Sequence, residues 1–398
     1  MYDVIVVGAG AGGASAAYFL ALAGKKVLVI EKQALPRYKA CGGGVSLKML
    51  AKYFPFSFEP VIESHPTSVC WVMGSDSVTI SLPEGSLGMV MRAKFDAFIL
   101  EHSGAEVITA ATVMRVSEKD DCVLVTTKEG GTFEGRYLIG ADGANSVIAK
   151  SLGLRRHQKP TPAIEAEVIV PDSVMARFAH KPVFIFAAIR RGYLWIFPKG
   201  DHLSVGIAHL KPQPGELQSR LGKVMSEFGI SLDHAVFHGY MIPLYDGPQP
   251  ITTHRCLLIG DAAGLVDPLS GEGIRLAIKS AWLASQAILD NKPSSYPLEV
   301  FLRIGLSQML SLPLRLVFYY LTELCFLFGV YNPFATQAFM ALLADQIGYG
   351  RVILRLFGSL PLFFITEISS GLLQLSHHPA QADKIRKKIY GIWNRVEE

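Results

Sequence analysis

Apolar positions along the chain follow two patterns, continuous short runs and strict alternation. Val4-Ile5-Val6-Val7 is a β-branched run of the kind that fills a buried parallel strand. Gly8-Ala9-Gly10-Ala11-Gly12-Gly13 follows it, and then Ala14 to Ala23, a stretch of helical composition that Gly24 ends. Val27-Leu28-Val29-Ile30 is a second strand and delivers Glu31. Tyr137-Leu138-Ile139-Gly140 and Cys256-Leu257-Leu258-Ile259 repeat the apolar run, each closing on a glycine-aspartate turn that carries Asp142 or Asp261. Strand-like runs occupy Ala163 to Val170, Pro182 to Arg190, Tyr193 to Pro198 and Leu203 to His209, with a helix near Pro214 to Phe228. On the third of these, Tyr193, Trp195 and Phe197 share one face.

These elements predict an α/β chain. A Rossmann-like dinucleotide-binding domain is assembled from residues 1–50, 90–155 and 250–290. The inserted segments 51–89 and 156–249 form a β-sheet substrate domain, and 291–398 forms a C-terminal helical, apolar cap. From about Tyr296 the composition shifts. Leu314 to Tyr331 is apolar almost all round if helical, with Arg315, Tyr319, Thr322 and Glu323 as a polar stripe between Pro313 and Pro333. Leu356 to Ile365 is expected to be broken by Gly358 and Pro361. Neither piece is expected to cross a bilayer, which needs about 20 apolar residues with few charges. In Lys384 to Val396, Ile385, Ile389, Ile392 and Val396 share a helical face, with basic residues elsewhere and Trp393 at the edge, a pattern that suits an anionic membrane interface and equally an ordinary terminal helix.

Composition narrows the class. Of 398 residues 50% are hydrophobic and only 18% charged, and 38 Lys+Arg stand against 34 Asp+Glu. Such a chain is neither disordered nor a nucleic-acid coat. It is short of the charge that usually covers a soluble surface, about 25% of residues, so apolar area is expected to meet something other than water. Cys41, Cys70, Cys122, Cys256 and Cys325 are scattered, odd in number and without a CxxC pair, which fits neither a metal cluster nor a disulfide framework. With no basic, apolar leader ahead of the first strand, the expected location is cytoplasmic.

The first unit carries chemistry. Gly8, Gly10 and Gly13 occupy the G-x-G-x-x-G places, with Gly12 beside them. A pyrophosphate there would lie against bare backbone N–H groups at a helix N-terminus, and Glu31 would accept from ribose hydroxyls and repel a 2′-phosphate. This unit by itself fits NAD and FAD equally. Behind it, in this order, Tyr137 to Ser146 and Arg255 to Gly264 resemble segments of the FAD-dependent hydroxylase and reductase superfamily, whose fold is that of para-hydroxybenzoate hydroxylase. The resemblance implies that FAD is the cofactor, that Asp261 bonds its ribityl chain, and that Asp142-Gly143 lie near its middle. It also implies that Arg92, at a helix start and able to pair with Asp96 one turn on, stands beside the flavin chain. Gly273 and Ile274 would open a helix whose N-terminus stabilises negative charge on the reduced flavin ring.

Two further segments, Pro36 to Val45 (with Cys41, Gly42 and Gly44) and Gly192 to Gly200, look like the geranylgeranyl reductase family together with Gly271-Glu272-Gly273-Ile274. The resemblance runs from residue 1 to about 290. It implies saturation of isolated double bonds in a polyprenyl chain by hydride from reduced flavin plus a proton. An unactivated alkene has no carbonyl to take developing charge, so a proton donor is required; Cys41 and Tyr193 are the candidates, and Trp195 shapes the pocket. Arg37 and Lys39 either balance cofactor charge or are solvated. The implied substrate is a polyprenyl lipid or a prenylated quinone or chlorophyll-type molecule, with NADPH or reduced ferredoxin as electron donor and peripheral contact with the inner face of the membrane. A flavin halogenase would carry two tryptophans and an Ile-Pro where this chain has Tyr193 and Phe197-Pro198. A flavin monooxygenase acting on small aromatics would share the fold but would not need the apolar C-terminal third. A prenyl-lipid carrier on the same scaffold would bind the lipid without catalysis.

Overall fold

Five parallel strands form the centre of the first sheet, in the order Glu106–Ile108, Val27–Ile30, Tyr2–Val7, Thr132–Gly140 and Cys256–Leu258. An antiparallel pair, Val113–Glu118 and Val123–Thr127, continues it from the first half of Thr132–Gly140. The computed structural model describes residues 1–155, 160–213, 215–326 and 332–375. Val27–Ile30, Cys256–Leu258 and the C-terminal ends of Tyr2–Val7 and Thr132–Gly140 are apolar and buried, and the helix Ala11–Leu22 packs on Val27–Ile30, Tyr2–Val7 and Thr132–Gly140. The glycine-loop helix Ala11–Leu22 is itself buried on nearly every side and packs on the helix Ile274–Leu289. Gly12 makes that approach possible: a Cβ there would lie 3.3 Å from Ile259 and 3.4 Å from Ala277.

Strands from both inserted segments build one second sheet. Its order is Phe237–Ile242, Thr161–Val168, Leu203–His209, Gly192–Pro198, Val183–Phe186, Ser68–Met73 and Asp76–Ser81. One face carries Leu194, Ile196, Val205 and Ile207 against the amphipathic helix Glu216–Glu227, which contributes Leu217, Leu221, Val224 and Met225. The other face is aromatic. A small third sheet, Gly44–Ser46, Leu87–Val90 and Ile62–Ser64, lies at the end of the cofactor segment.

The chain divides into two compact units, residues 1–320 and 321–398. The first ends in a helical stretch, Pro293–Tyr320, which by length and composition could cross a membrane although 28% of its most apolar window is buried in the protein. Pro313 lies inside the helix Leu306–Tyr320 instead of bounding a segment that begins at Leu314. Proline forfeits one backbone hydrogen bond, but Gln308 and Ser311 are buried before it and Phe318 packs on Phe186 after it, so side-chain packing carries the helix through. In the second unit, Pro333–Leu343 and Tyr349–Leu375 pack on each other. The expected break at Gly358 and Pro361 is corrected in the same way: both lie within Tyr349–Leu375, flanked by buried Ser359 and Phe363. Ser359 also accepts from the Asn332 side chain at 2.9 Å. The expected basic helix at Lys384 to Val396, and residues 327–331 of the apolar stretch, lie outside the described residues.

Candidate functional site

The glycine loop needs glycine for reasons visible atom by atom. Gly8 has φ +100°, and a Cβ at Gly13 would lie 1.8 Å from the Gly8 carbonyl oxygen. Gly10 caps the helix without any side-chain hydrogen bond, and no acid occupies the first turn, so the helix start offers its N–H groups and its positive dipole end. A Cβ at Gly10 would point at two guanidinium groups, Arg37 at 3.4 Å and Arg92 at 3.7 Å. Backbone donors and two cations therefore converge over one bare backbone position. That cradle fits the diphosphate of a dinucleotide.

Acids hold those cations in place. Arg92, only 5% exposed, makes a two-pronged pair with Asp96 at 2.8 and 2.9 Å. Arg37 bridges Glu31 at 3.3 Å and Asp96 at 3.7 Å, so it belongs to the site and is not solvated. Glu31 also accepts from the Ala9 and Gln33 amides, which ties the end of the second strand to the glycine loop.

A second charged centre surrounds Asp261. Its carboxylate accepts from Tyr240 at 2.7 Å and Lys39 at 3.3 Å, while Arg155 donates to the backbone carbonyls of Asp261, Ala262 and Ala144. Burial works against the charged form, but Lys39, the Tyr240 hydroxyl and Arg92 outweigh it and keep the Asp261 carboxyl below its ordinary range. A Cβ at Gly273 would lie 3.4 Å from Asp261 Oδ1, so the start of the helix Ile274–Leu289 is beside this carboxylate. Asp142 accepts from the Val147 and Ile148 amides and so begins a short helix, while its other oxygen is buried without a partner among the described residues. Gly143 is brought to Tyr240, and through it to Asp261.

The segment after Glu31 joins this cofactor cradle to the aromatic sheet face. A Cβ at Gly42 would meet the Phe197 ring at 2.9 Å and Trp195 Nε1 at 3.3 Å, and Gly44 also faces Phe197. Buried Lys199 donates to the carbonyls of Gly42 at 2.6 Å and Val90 at 3.0 Å, fixing the turn from below; burial pulls its pKa down. The Cys41 thiol is free and half-buried, and its amide donates to Glu165 at 2.7 Å.

On the aromatic face, registered neighbours form rows that cross three strands. Ala163, Ala208 and Tyr193 make one row, Glu165, Gly206 and Trp195 the next, and Glu167, Ser204 and Phe197 the third. Small residues on the middle strand leave room for the rings to lie over it, and a Cβ at Gly206 would stand 2.1 Å from the Trp195 ring. Phe184, Phe186 and Trp71 extend the plate, with Trp71 stacked on Phe184 at 4.9 Å. Phe318 of the helix Leu306–Tyr320 meets Phe186 edge-on at 5.2 Å. Tyr193 donates to the Ser270 carbonyl at 2.8 Å, and burial together with Asp267 pushes its pKa up. A phenol so held is a weak acid with its proton committed.

Gly206→Val is expected to drive the Trp195 indole out of its row, since no rotamer keeps a ring 2.1 Å from a side-chain carbon. A change of the tryptophan emission maximum with wild-type secondary structure is the expected result; an unchanged spectrum would mean the ring does not lie over Gly206.

Sequence reading missed Tyr38, Glu165, Lys199, Tyr240 and Arg155. The only signal for Lys199 was its position just past the Phe197-Pro198 strand end, where a lysine ordinarily faces solvent.

The family profile described as FAD dependent oxidoreductase matches residues 3–49. An uncharacterized protein of Methanosarcina barkeri is 30% identical over 298 residues, 72% of this chain and 74% of that one. The geranylgeranyl diphosphate reductase of Synechocystis is 27% identical over 77% of this chain and 80% of its own. The menaquinone reductase of Mycobacterium tuberculosis is 28% identical over 73% and 77%. Among solved structures, a geranylgeranyl bacteriochlorophyll reductase-like protein from Thermoplasma acidophilum superposes with a TM-score of 0.72 at 22% identity, over 92% of this chain and 98% of that one. A flavin-dependent brominase shares the fold with a TM-score of 0.68 at 18% identity, over 86% and 93%.

Proposed function

The chain belongs to the geranylgeranyl reductase family of FAD-dependent oxidoreductases, and from that premise we propose that it saturates isolated carbon–carbon double bonds in a polyprenyl chain. The observation that carries this reading is Gly42, which seats the turn of the cofactor segment against Phe197 and Trp195, so an apolar aromatic plate begins where the cofactor cradle ends. An isoprenoid chain has only apolar surface to recognise, and such a plate offers it burial worth roughly 25 cal/mol per Å². Bound and reduced, FAD supplies the hydride.

The chain's own residues do the rest. Gly10, Arg37 and Arg92 would hold the diphosphate, Glu31 the ribose, and Asp261 the chain leading to the flavin. The helix starting at Gly273 and Ile274 would offer its positive end to the flavin. Trp195 and Phe197 wall the alkene, and Cys41, on the turn that meets them, is the proton donor in preference to Tyr193, whose proton is held by Ser270. Menaquinone reductase among the relatives extends the substrate class to prenylated quinones, and NADPH or reduced ferredoxin are the candidate electron donors. Exposed Leu298, Leu302, Leu306, Met309 and Leu310 on the Pro293–Tyr320 stretch support peripheral membrane contact.

The test is anaerobic incubation of the prereduced protein with geranylgeranyl diphosphate, menaquinone and an unsaturated archaeal-type lipid. Mass spectrometry is expected to show one added H2 for each double bond reduced. No mass gain on any of them would overturn the proposal. A colourless protein that still binds the lipids would indicate a carrier, and consumption of oxygen and halide a halogenase.

A further inference from the structure

Glu165 is a buried acid for which the cofactor-binding arrangement supplies no purpose. It stands on the aromatic face in the row with Gly206 and Trp195 and is 2% exposed. One oxygen accepts from both the Tyr38 hydroxyl and the Cys41 amide, each at 2.7 Å. Its other oxygen, and the Trp195 indole N–H in the same row, are buried without hydrogen-bond partners among the described residues. A buried carboxylate that stays charged ordinarily spends all its lone pairs; this one does not. Tyr38, 38% exposed, reaches water on one side and Glu165 on the other.

We infer that Glu165 is a positioning residue that carries the proton for the Cys41 turn, exchanging it with solvent through Tyr38. The inference rests on the prenyl reductase reading. The balance is one proton for each hydride added to a double bond. The Cys41 thiol gives its proton to the alkene carbon, Glu165 returns a proton to the thiolate, and the Tyr38 hydroxyl passes one from water to the Glu165 carboxylate.

The charges around Glu165 are compatible with this exchange. Glu167 on the same strand opposes its ionisation, while Tyr38, the Cys41 amide and Lys199 favour it. His202 pairs with Glu167 at 3.0 Å, and His238, opposite Glu165 on the neighbouring strand, packs on the Tyr38 ring at 4.2 Å. Burial is the largest influence and pushes the Glu165 carboxyl up to about 7. The acid is thus protonated below neutrality and loses its proton as pH rises through it, so a rate that needs this proton falls in the same direction.

The experiment compares FAD-loaded wild type with Glu165→Gln and Tyr38→Phe. Gln still accepts from the Cys41 amide but cannot titrate. In wild type, multiple-turnover reduction driven by dithionite, which needs the Cys41 thiol reprotonated in every cycle, is expected to fall as pH rises through about 7, the ordinary behaviour of a required acid. Glu165→Gln is expected to lose that limb and to run about 10- to 100-fold slower below it. Tyr38→Phe removes the hydroxyl that passes the proton and is expected to slow turnover about tenfold; it also removes a bond that favours the charged form of Glu165, and so moves the limb to higher pH. The second readout needs no turnover. Alkylation of Cys41 by iodoacetamide, followed on its own peptide, is expected to be about three- to tenfold faster at mildly alkaline pH in Glu165→Gln, because the side chain bonded to the Cys41 amide no longer carries a negative charge beside the attacking sulfur. Identical Cys41 alkylation profiles in wild type and both variants would overturn the inference. If wild type reduces no prenyl lipid, the substrate reading fails, and the Cys41 profile still decides the role of Glu165.

Discussion

Gly13→Ala is expected to yield a protein that purifies without flavin. The added Cβ would sit 1.8 Å from the Gly8 carbonyl oxygen, and both atoms belong to backbone that cannot swing aside. Gly8 is itself committed, with φ at +100° and its own close approach to the Ala141 carbonyl at 2.4 Å from a Cβ position. Relief requires lifting the helix Ala11–Leu22 off the first strand, which separates the helix N-terminus from the diphosphate cradle and opens the buried packing against Ile274–Leu289. Overpacking of this kind ordinarily costs about 1–3 kcal/mol, and here it falls on the backbone proposed to cradle the cofactor. Flavin absorbance per chain is expected to drop at least tenfold, with a lowered melting temperature. A yellow variant with wild-type stability would show that helix and strand are not in close contact.

Arg92→Leu is the second large effect. It leaves Asp96 2% exposed and without its two-pronged partner. Breaking a buried pair from one side costs about 3–5 kcal/mol, and Arg37, 3.7 Å from Asp96, offsets only part of it. The double variant Arg92→Leu/Asp96→Leu removes the stranded charge and is expected to recover most of the folding stability in denaturant titration. FAD affinity is expected to stay low in both, because the guanidinium over Gly10 is missing in both. Recovery of flavin binding in the double variant would mean that Arg92 serves the fold and not the cofactor.

The glycine-loop cradle was legible in the sequence because it is built from local rules. The glycine spacing, the following helix and Glu31 are neighbours in the chain, and the i, i+4 pairing of Arg92 with Asp96 is set by helix geometry alone. Alternation on Gly192–Pro198 was enough to put Tyr193, Trp195 and Phe197 on one face, as the row structure shows. The prolines at 313 and 361 misled for a reason of the opposite kind. A proline's local cost is fixed, but buried neighbours on either side of each one outweigh it, and those neighbours are supplied by other parts of the fold.

By itself the sequence determined the glycine turn of the first βαβ unit, an aromatic strand face and the resemblance to the family, since each depends on residues a few positions apart. Only the tertiary structure decided what the charged residues between them do. Glu165 and Glu167 alternate with Ile164, Ala166 and Val168, which along the chain reads as the wet side of a half-exposed strand. The wet side became the inner one when the Cys41 turn, 124 positions earlier, closed over it and gave Glu165 its amide donor. Lys199 and Tyr240 gained their meaning in the same way, from carbonyls at Gly42 and Val90 and from the carboxylate of Asp261. A hydrophobic period reports which face is buried only when one side of an element is wet. Where a distant turn closes over a strand both sides are covered, and the chemistry of each charged group is set by whichever distant backbone arrives beside it.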